Sequence, residues 1–339
     1  MGRVCKKDAG GAHTFKNKWT TFVKARLNCS VPGQYPFYFD QIQSVSQIMK
    51  SKAGEDLVFG VFNTPENSIT GSAVCSFSMT DIRDSFDGPF KAQQDVNSNW
   101  LPLSKQQQPR TRPGSCHANS KQLDDEHLNF LKENVLMDLS VPSHGSRGPH
   151  YIRTSPNERL TSIAVDPAVV TASGDLVDVI FVGTTRGRVL KLVSHNSGGE
   201  ERTTLIEEIQ LFPLHIRVSN ILVETVTRSV VVLSEHEVKR FPLSRCERSS
   251  LSCPACVNLQ DPYCAWNVAS QTCSPLHNSK QDTSELLQNL HSGRHPGCPA
   301  ASLSVSGNCG EMFCRKMCPE IATSKQCLLE QTQTLKKCK

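Results

Sequence analysis

The sequence predicts an all-β protein that ends in a small cysteine-rich module, and three features of the 339-residue chain support this. Short apolar runs alternate with turn-forming residues over most of the chain, which is the pattern of antiparallel strands. A hairpin-like pattern occurs twice, the second time about 50 residues after the first. Six cysteines then fall within a short segment, which has too little apolar surface to fold without covalent cross-links.

The first strands are predicted at residues 58–62 and 72–77, which are apolar, β-prone and separated by turn formers. The two hairpin-like segments are residues 179–192 and 230–241, and each combines a buried strand, a tight turn and an amphipathic strand. Repetition at this spacing is typical of a β-propeller, in which each blade is one four-stranded sheet. A β-sandwich with similar hairpins fits the pattern equally well.

One segment departs from the strand pattern and predicts a helix over residues 123–133. The residues that share one helical face are Leu123, His127, Phe130 and Leu131. Asp124 and Asp125 are the candidates for the N-cap. The flanking segments 92–122 and 140–158 are rich in Gln, Ser, Pro, Asn and Gly, so we expect surface loops there.

Composition excludes several classes of protein. Hydrophobic residues make up 37% of the chain and charged residues 20%, which is ordinary for a folded domain. The net charge of +5 favours acidic partners such as sulfated glycans, but no run of Lys and Arg alternates with stacking aromatics, so no nucleic-acid partner is expected. No apolar stretch of about 18 residues occurs, so no membrane-spanning helix is predicted.

The cysteines and the start of the chain point to different compartments. The module cysteines are Cys246, Cys253, Cys256, Cys264, Cys273 and Cys298, and such density is typical of an oxidising environment. Residues 1–8 contain no apolar run of about seven residues, so they do not form a secretory signal. Either the chain is cytosolic and its cysteines bind metal, or it is a fragment of a longer secreted protein.

Several motifs resemble those of one known family. They are CKKDAGG at residues 5–11, KWTTFVKARLNCSVPG at 18–33, FYFD at 37–40, GSAVC at 71–75, PGSC at 113–116, FVGT at 181–184 and DPYCAW at 261–266. In their order and spacing, over roughly residues 4–299, the chain resembles the C-terminal half of a semaphorin sema domain followed by a plexin–semaphorin–integrin (PSI) module. Among semaphorins it is most similar to the invertebrate membrane-anchored or secreted classes.

The resemblance implies an extracellular or cell-surface guidance ligand that is not an enzyme and needs no cofactor, metal or small-molecule substrate. Such a ligand binds plexin receptors, usually as a homodimer, and directs axon growth and cell migration. The implied fold is a seven-bladed β-propeller. Residues 1–243 would supply about its last four blades with a helical insertion, 244–300 the PSI module and 301–339 a tail with no family counterpart. The early blades, the strand that closes the ring and the secretion signal would lie outside this chain, which we therefore expect to be a fragment.

The resemblance also implies five disulfides. They are Cys5–Cys116, Cys29–Cys75, Cys246–Cys264, Cys253–Cys298 and Cys256–Cys273. The residues alone leave the module pairing open, because six cysteines allow 15 connectivities. Cys253 and Cys256 also have the spacing of half a zinc ribbon, but no second pair follows, which disfavours zinc.

The remaining features are expected to be structural or peripheral. Asn28 begins the sequon Asn-Cys-Ser and is a candidate glycan acceptor, although a bridged Cys29 would hinder transfer. Within the module, Trp266 is expected to be the core aromatic, with Pro262 and Tyr263 as turn and packing residues. Gly183 and Gly187 are expected to serve turn geometry. The histidines predicted to be solvated are His144, His150, His291 and His295.

Two further observations bear on function. The tail cysteines are Cys309, Cys314, Cys318, Cys327 and Cys338, an odd number that leaves one thiol over, and no role is predicted for them. No phosphate-binding glycine loop or hydrolase motif occurs. The alternatives to a ligand are a fragment of a receptor that carries sema and PSI modules, or a metal-stapled fragment without a signalling role. The motifs around Cys5, Trp19 and Cys75 favour the ligand.

Overall fold

Antiparallel sheets make up most of the described structure, which confirms the all-β prediction. The computed structural model describes residues 1–117, 119–145, 148–197, 200–246, 252–276 and 285–299. Met1–His295 form one compact unit, which contains every element named below. The tail with its five cysteines lies outside the described residues.

The elements are as follows. The strands of the first half are β1 Gly2–Arg3, β2 Val23–Lys24, β3 Ser30–Val31, β4 Phe37–Tyr38, β5 Gln41–Val45, β6 Met49–Lys50, β7 Asp56–Asn63, β8 Ser72–Ser78, β9 Lys91–Ala92, β10 Leu101–Pro102 and β11 Tyr151–Arg153. The later strands are β12 Leu160–Val170, β13 Leu176–Thr184, β14 Arg188–Ser197, β15 Glu200–Gln210, β16 Asn220–Glu224, β17 Ser229–Leu233, β18 Val238–Pro242, β19 Cys264–Asn267, β20 Thr272–Pro275 and β21 Leu286–Leu287. The α-helices are α1 Met79–Asp87, α2 Asp125–Glu133 and α3 Cys253–Val257, and the 3₁₀ helices are His13–Phe15, Lys105–Gln107 and Ser120–Gln122.

Three larger sheets follow one another along the described chain. Sheet 1 has the strand order β11-β8-β7-β5, with β6 also paired to β7; sheet 2 is the meander β12-β13-β14-β15; sheet 3 is β16-β17-β18. The module sheet has the order β20-β19-β21, and the two-stranded pairs are β1–β2, β3–β4 and β9–β10. The predicted strand pair and both predicted hairpins are present as β7–β8, β13–β14 and β17–β18.

Sheet 1 is covered on both faces, because alternate residues of β7 enter two different hydrophobic clusters. Leu57, Phe59 and Val61 pack with residues of sheet 2. Val58 and Phe62 pack in the cluster that contains residues of α1 and α2. Successive side chains of a strand point to opposite faces, so a strand buried on both faces has a continuous apolar sequence.

Sheet 2 is packed in the same way. On β13, Ile180 and Val182 join the cluster shared with sheet 1. Val177, Val179 and Phe181 join the cluster shared with sheet 3 and with the cysteine-rich module. The sheets therefore stack face to face, and the module covers part of the last interface.

The predicted helical insertion is confirmed as α2. Asp124 is its N-cap, and its Oδ1 accepts a hydrogen bond from the backbone nitrogen of His127 at 2.8 Å. The buried face carries His127, Leu128, Phe130 and Leu131. The ring of Phe130 meets that of Phe90 edge-on, with centroids 5.3 Å apart. The insertion is thereby attached to the cluster beneath sheet 1.

Part of the segment 140–158, predicted as a surface loop, is a strand instead. β11 pairs with β8, and Tyr151 lies opposite Val74. Three residues are too few for strand periodicity to appear in a sequence. The hydrogen bonds that form this strand are offered by the edge of β8, which lies far away in the sequence.

Replacing Gly187 with alanine is expected to lower the free energy of unfolding by roughly 3 kcal/mol, the upper end of the range for strained backbone. Gly187 lies in the β13–β14 turn with φ of +69°, and a Cβ there would lie 2.5 Å from the carbonyl oxygen of Phe212. Urea denaturation measures the loss. Gly174→Ala is the matched control, since Gly174 has φ of +85° but no atom within 4 Å of a Cβ. Equal losses in the two variants would show that the collision at Gly187 contributes nothing.

Candidate functional site at the sheet and module interface

Two disulfides join distant parts of the N-terminal region. The Cα atoms of Cys5 and Cys116 are 5.5 Å apart, although the residues are separated by 111 positions. Those of Cys29 and Cys75 are 5.8 Å apart at a separation of 46 positions. Both Cα distances lie in the usual range for a disulfide. Cys29 and Cys75 are fully buried, so this second bridge lies within the core beside sheet 1.

The module is cross-linked as well. Cys246 is joined to Cys264, with Cα atoms 5.5 Å apart, and Cys256 is joined to Cys273 at 5.6 Å. Cys253 is also disulfide-bonded, as is Cys298. Among the described residues, no group of three or more His, Cys, Asp or Glu side chains is arranged to hold a metal ion. The cysteines of the CPAC segment are therefore occupied by sulfur–sulfur bonds.

The sequon residue Asn28 is half-buried between a bridge and a loop. Its backbone nitrogen donates to the carbonyl oxygen of Val141 at 2.9 Å. Its Oδ1 accepts a hydrogen bond from Ser30 Oγ at 2.9 Å. The acceptor amide thus already contacts the hydroxyl of its own sequon.

A buried ion pair joins the module to sheet 2. The side chain of Lys191, on β14, is 1% exposed, and its Nζ donates to Asp261 Oδ2 at 2.5 Å and to the carbonyl oxygen of Leu243 at 2.9 Å. Asp261 belongs to the module, and its Oδ1 accepts from the backbone nitrogen of Tyr263 at 3.0 Å. A buried charge is costly unless it is paired and hydrogen-bonded. Asp261 therefore supplies the opposite charge that the buried ammonium of Lys191 requires.

Tyr263 completes the interface from the module side. Its hydroxyl donates to Asp166 Oδ2 on β12 at 2.6 Å. The Nζ of Lys191 lies 4.5 Å from the centroid of its ring, within cation–π range. Burial, together with the neighbouring Asp166, raises the pKa of Tyr263 well above its usual value, and burial also raises the pKa of Asp166. The phenol consequently stays protonated and keeps donating to Asp166.

Tyr263, and not Trp266, is the deeply buried aromatic of the module. Tyr263 is 2% exposed and belongs to the cluster shared with sheets 2 and 3. Trp266 is only half-buried, and on β19 it lies opposite Cys273 and Leu287. The expectation that Trp266 is the core aromatic was wrong, because the aromatic that enters the buried cluster is Tyr263.

The sequence contained one usable signal for this interface. Val189, Lys191 and Val193 lie on one face of β14, since alternate residues share a face. Both valines belong to the cluster that contains Tyr263. A lysine between two buried positions of the same face indicates a buried cation, and so a carboxylate partner elsewhere in the chain.

A second polar cluster lies between sheets 1 and 2. The side chain of Lys52 is 8% exposed, and its Nζ donates to Glu201 Oε1 at 2.8 Å and to Ser194 Oγ at 2.9 Å. Its backbone nitrogen donates to Asp178 Oδ1 at 3.2 Å. We call this set the Lys52 cluster. It connects the turn before β7 to β13, β14 and β15.

His150 belongs to the same region and is not solvated as predicted. Its side chain is 3% exposed, and its Nδ1 lies 3.9 Å from Glu201 Oε2. Its Nε2 is 2.6 Å from Ser76 Oγ, and its ring packs against that of Phe59. Burial lowers the pKa of His150 to about 4. The loop-like sequence around His150 concealed its contact with the edge of β8.

Aliphatic side chains are exposed along the edge strand β5 and the residues that follow. Ile42, Val45 and Ile48 are 50%, 54% and 59% exposed, respectively. β5 is the last strand of sheet 1 in the strand order. Exposed apolar groups gathered in one place are typical of interaction sites. We call these three residues the β5 surface.

In the described ranges, no helix is both long and apolar enough to cross a lipid bilayer. Family models match two parts of the chain: the Sema domain at residues 42–225 and the Plexin repeat, or PSI, at residues 245–299. The fold and the interface thus define part of a sema β-propeller with a docked PSI module.

Known relatives agree with these matches. Semaphorin-1A of Drosophila melanogaster is 42% identical over 92% of this chain, and Semaphorin-1A of Schistocerca americana is 44% identical over 88%. The chain belongs to the semaphorin family. The resemblance to invertebrate semaphorins is thereby confirmed. The chain spans about two fifths of the length of these relatives, 37% and 42% respectively.

Solved structures give the same result for the fold. A chain of the structure of Drosophila Plexin A in complex with Semaphorin 1b matches with a TM-score of 0.79 and 40% identity, over 86% of this chain and 58% of that chain. The prediction of a partial propeller followed by a PSI module is confirmed. Plexin A4 also matches, with a TM-score of 0.55 and 18% identity over 85% of this chain and 27% of that chain, which shows a shared fold alone.

Proposed function

We propose that this chain is part of an extracellular or cell-surface semaphorin ligand that binds a plexin receptor and acts by binding, without catalysis. The observation that carries the proposal is the 40% identity and TM-score of 0.79 to a chain from a complex of Plexin A with Semaphorin 1b. From the family resemblance, we also propose that the complete protein directs axon growth and cell migration. The similarity to Plexin A4 gives the receptor-fragment alternative no comparable support.

The extracellular location is supported by the cross-links. Cys29 and Cys75 meet in the core, and the module is bridged through Cys246–Cys264 and Cys256–Cys273. Disulfides of this kind form and persist in oxidising compartments, whereas cytosolic thiols stay reduced. Non-reducing peptide mapping of the secreted chain is expected to recover all five implied bridges, including Cys253–Cys298.

Binding to a plexin ectodomain is the direct test. The full 339-residue chain, secreted from insect cells by means of an added signal peptide, is immobilised and exposed to a soluble plexin A ectodomain in a biolayer interferometry experiment. We expect saturable binding that disappears after reduction and alkylation of the chain. An unrelated disulfide-bonded ectodomain is the control. If the oxidised, folded chain binds the plexin no more strongly than it binds the control ectodomain, the ligand proposal fails for this chain.

A homodimer is the second part of the proposal, and the β5 surface supports it. An edge strand with exposed aliphatic residues offers both backbone hydrogen-bonding groups and apolar area to a partner. Ile42→Glu is expected to shift the chain towards monomer in analytical ultracentrifugation. Val226→Glu is a suitable control, because Val226 is 88% exposed and lies outside the β5 surface. If Ile42→Glu instead loses plexin binding while its mass in ultracentrifugation is unchanged, the β5 surface contacts the receptor and not a second copy of the chain.

We also propose Asn28 as a glycan acceptor. The support is the sequon; in the folded chain the amide is half-buried and already accepts a hydrogen bond from Ser30. Transfer must precede closure of the Cys29–Cys75 bridge, because Cys29 is fully buried once bridged. Intact mass spectrometry is expected to show a glycan on the secreted chain that is absent from Asn28→Gln.

A further inference from the structure

The Lys52 cluster is bordered by a second buried histidine, which contacts the module. His195, on β14, is 6% exposed, and its ring meets the ring of His291 edge-on with centroids 4.6 Å apart. His291 belongs to the module, whereas His195 belongs to sheet 2. A cleft of about 720 Å³ is lined by both histidines and by Lys52. Water and protons therefore have a route to this contact.

Charges of both signs surround the two buried histidines. His150 is faced by Glu201, Lys52 and His144, and His144 is paired to Glu55. His195 is faced by His291, Lys52 and Arg202, and Asp175 lines the same cleft. Glu201 is already hydrogen-bonded by Lys52 and Ser194. A proton added to either buried histidine thus places a second cation near Lys52, where desolvation and like charge both oppose it.

The direction of the pH effect follows from these surroundings. Burial lowers the pKa of His150 to about 4, and burial followed by the nearby His291 lowers the pKa of His195. An opened or unfolded chain takes up these protons near pH 6.5, whereas the closed structure resists them. The closed arrangement therefore loses stability as the pH falls from about 6.5 towards 4.

The carboxylates do not reproduce this effect. Burial acts to raise the pKa of Glu201, but Lys52 and His150 outweigh it and hold that pKa below its ordinary value of 4.5, so Glu201 contributes only in stronger acid. Burial raises the pKa of Asp178, which stabilises the closed form on acidification and works against the histidines. Between about pH 6.5 and 4.5 the destabilising groups in this cluster are the histidines.

We propose that the contact between His195 and His291, at the border of the Lys52 cluster, is an acid-sensitive latch. At neutral pH it holds module residues 285–291 against β14, with Gln288 Oε1 also accepting from the backbone nitrogen of Ala172 at 2.9 Å. In mild acid it releases this segment, because separation lets His195 be protonated in water. The Lys191–Asp261 ion pair holds the remainder of the module. Endocytic vesicles have the acidity that such a latch senses.

Hydrogen exchange of the full chain tests the latch. Exchange is followed by mass spectrometry at pH 7.4 and pH 5.5 and corrected for the intrinsic effect of pH on the chemistry. A histidine that stays neutral in the closed structure takes up a proton when the segment opens. Each such histidine raises the population of the open form up to about tenfold for one pH unit below 6.5. We expect about a tenfold rise in peptides covering residues 285–295, with peptides of β7 and β8 unchanged.

Three variants make the result specific. His195→Gln is expected to reduce the rise, because glutamine keeps a polar side chain but does not titrate. His150→Gln is expected to leave the rise in residues 285–295 unchanged, since the ring of His150 contacts Phe59 and Ser76 of β7 and β8. His236→Gln is the control, since His236 is exposed in the β17–β18 turn and far from the Lys52 cluster in sheet order. If His150→Gln does not fold, His195→Gln at the edge of the cleft decides alone. The proposal is overturned if exchange of residues 285–295 does not rise at pH 5.5, or if the rise is the same in His195→Gln as in the unmodified chain. It is also overturned if peptides of β7 and β8 show an equally large rise.

Discussion

Asp261→Asn is expected to lower the free energy of unfolding by about 3–5 kcal/mol, because it leaves the buried ammonium of Lys191 without its carboxylate. The two side chains are 7% and 1% exposed, so water replaces little of the lost interaction. The change also weakens the support of Tyr263, whose backbone nitrogen donates to Asp261. Urea denaturation followed by tryptophan fluorescence measures the loss.

Two comparisons make this result interpretable. Asp175→Asn changes an exposed aspartate in the β12–β13 hairpin and is expected to cost less than about 0.5 kcal/mol, as surface substitutions usually do. The double variant Lys191→Met, Asp261→Asn removes the buried charge itself and should recover much of the stability. A double variant as unstable as Asp261→Asn would mean that the charge is not the cause.

Removing the Cys29–Cys75 bridge by a double alanine substitution is expected to cost about 4 kcal/mol. The chain-entropy relation gives this value for a closed loop of 46 residues. Both cysteines are fully buried, so lost packing adds to the effect. The loss is measured by urea denaturation under non-reducing conditions, and a lower yield of secreted chain is expected with it.

The matched comparison is the double alanine variant of Cys5 and Cys116. Its bridge closes a loop of 111 residues, so the chain-entropy relation alone predicts a loss of stability about 0.8 kcal/mol larger than for the shorter loop. Cys116 is exposed and Cys5 is half-buried, so little packing is lost there. We expect the two variants to be similar in stability. A loss below about 1 kcal/mol for the Cys29 and Cys75 variant would show that the folded sheets do not depend on this bridge.

Local patterns in the sequence predicted the elements of the fold well. The apolar runs at residues 58–62 and 179–182 indicated strands, and the structure explains why they are continuous: both faces of β7 and β13 are buried. The turn around Gly187 and the N-cap Asp124 of α2 were also evident, because their signals lie within a few residues. β11 was missed, since only its partner strand makes it a strand.

The buried polar pairs were mostly out of reach of such patterns. Lys191 and Asp261 are 70 positions apart, and His150 and Glu201 are 51 positions apart, so nothing local links the members of either pair. The disulfide pairs came from the resemblance to a family and not from spacing. Tyr263 was expected to pack and Trp266 to form the core, but nothing local shows that Tyr263 faces the neighbouring sheet while Trp266 is only half-buried.

The burial of Lys191 and Lys52 has a practical consequence for experiments with this chain. Their side chains are 1% and 8% exposed, so dyes, biotin esters and sensor coatings that attack primary amines find these two nitrogens shielded. The exposed Lys6, Lys7 and Lys105 are labelled in their place. Reaction of Lys191 with such a reagent would itself report that the module has come away.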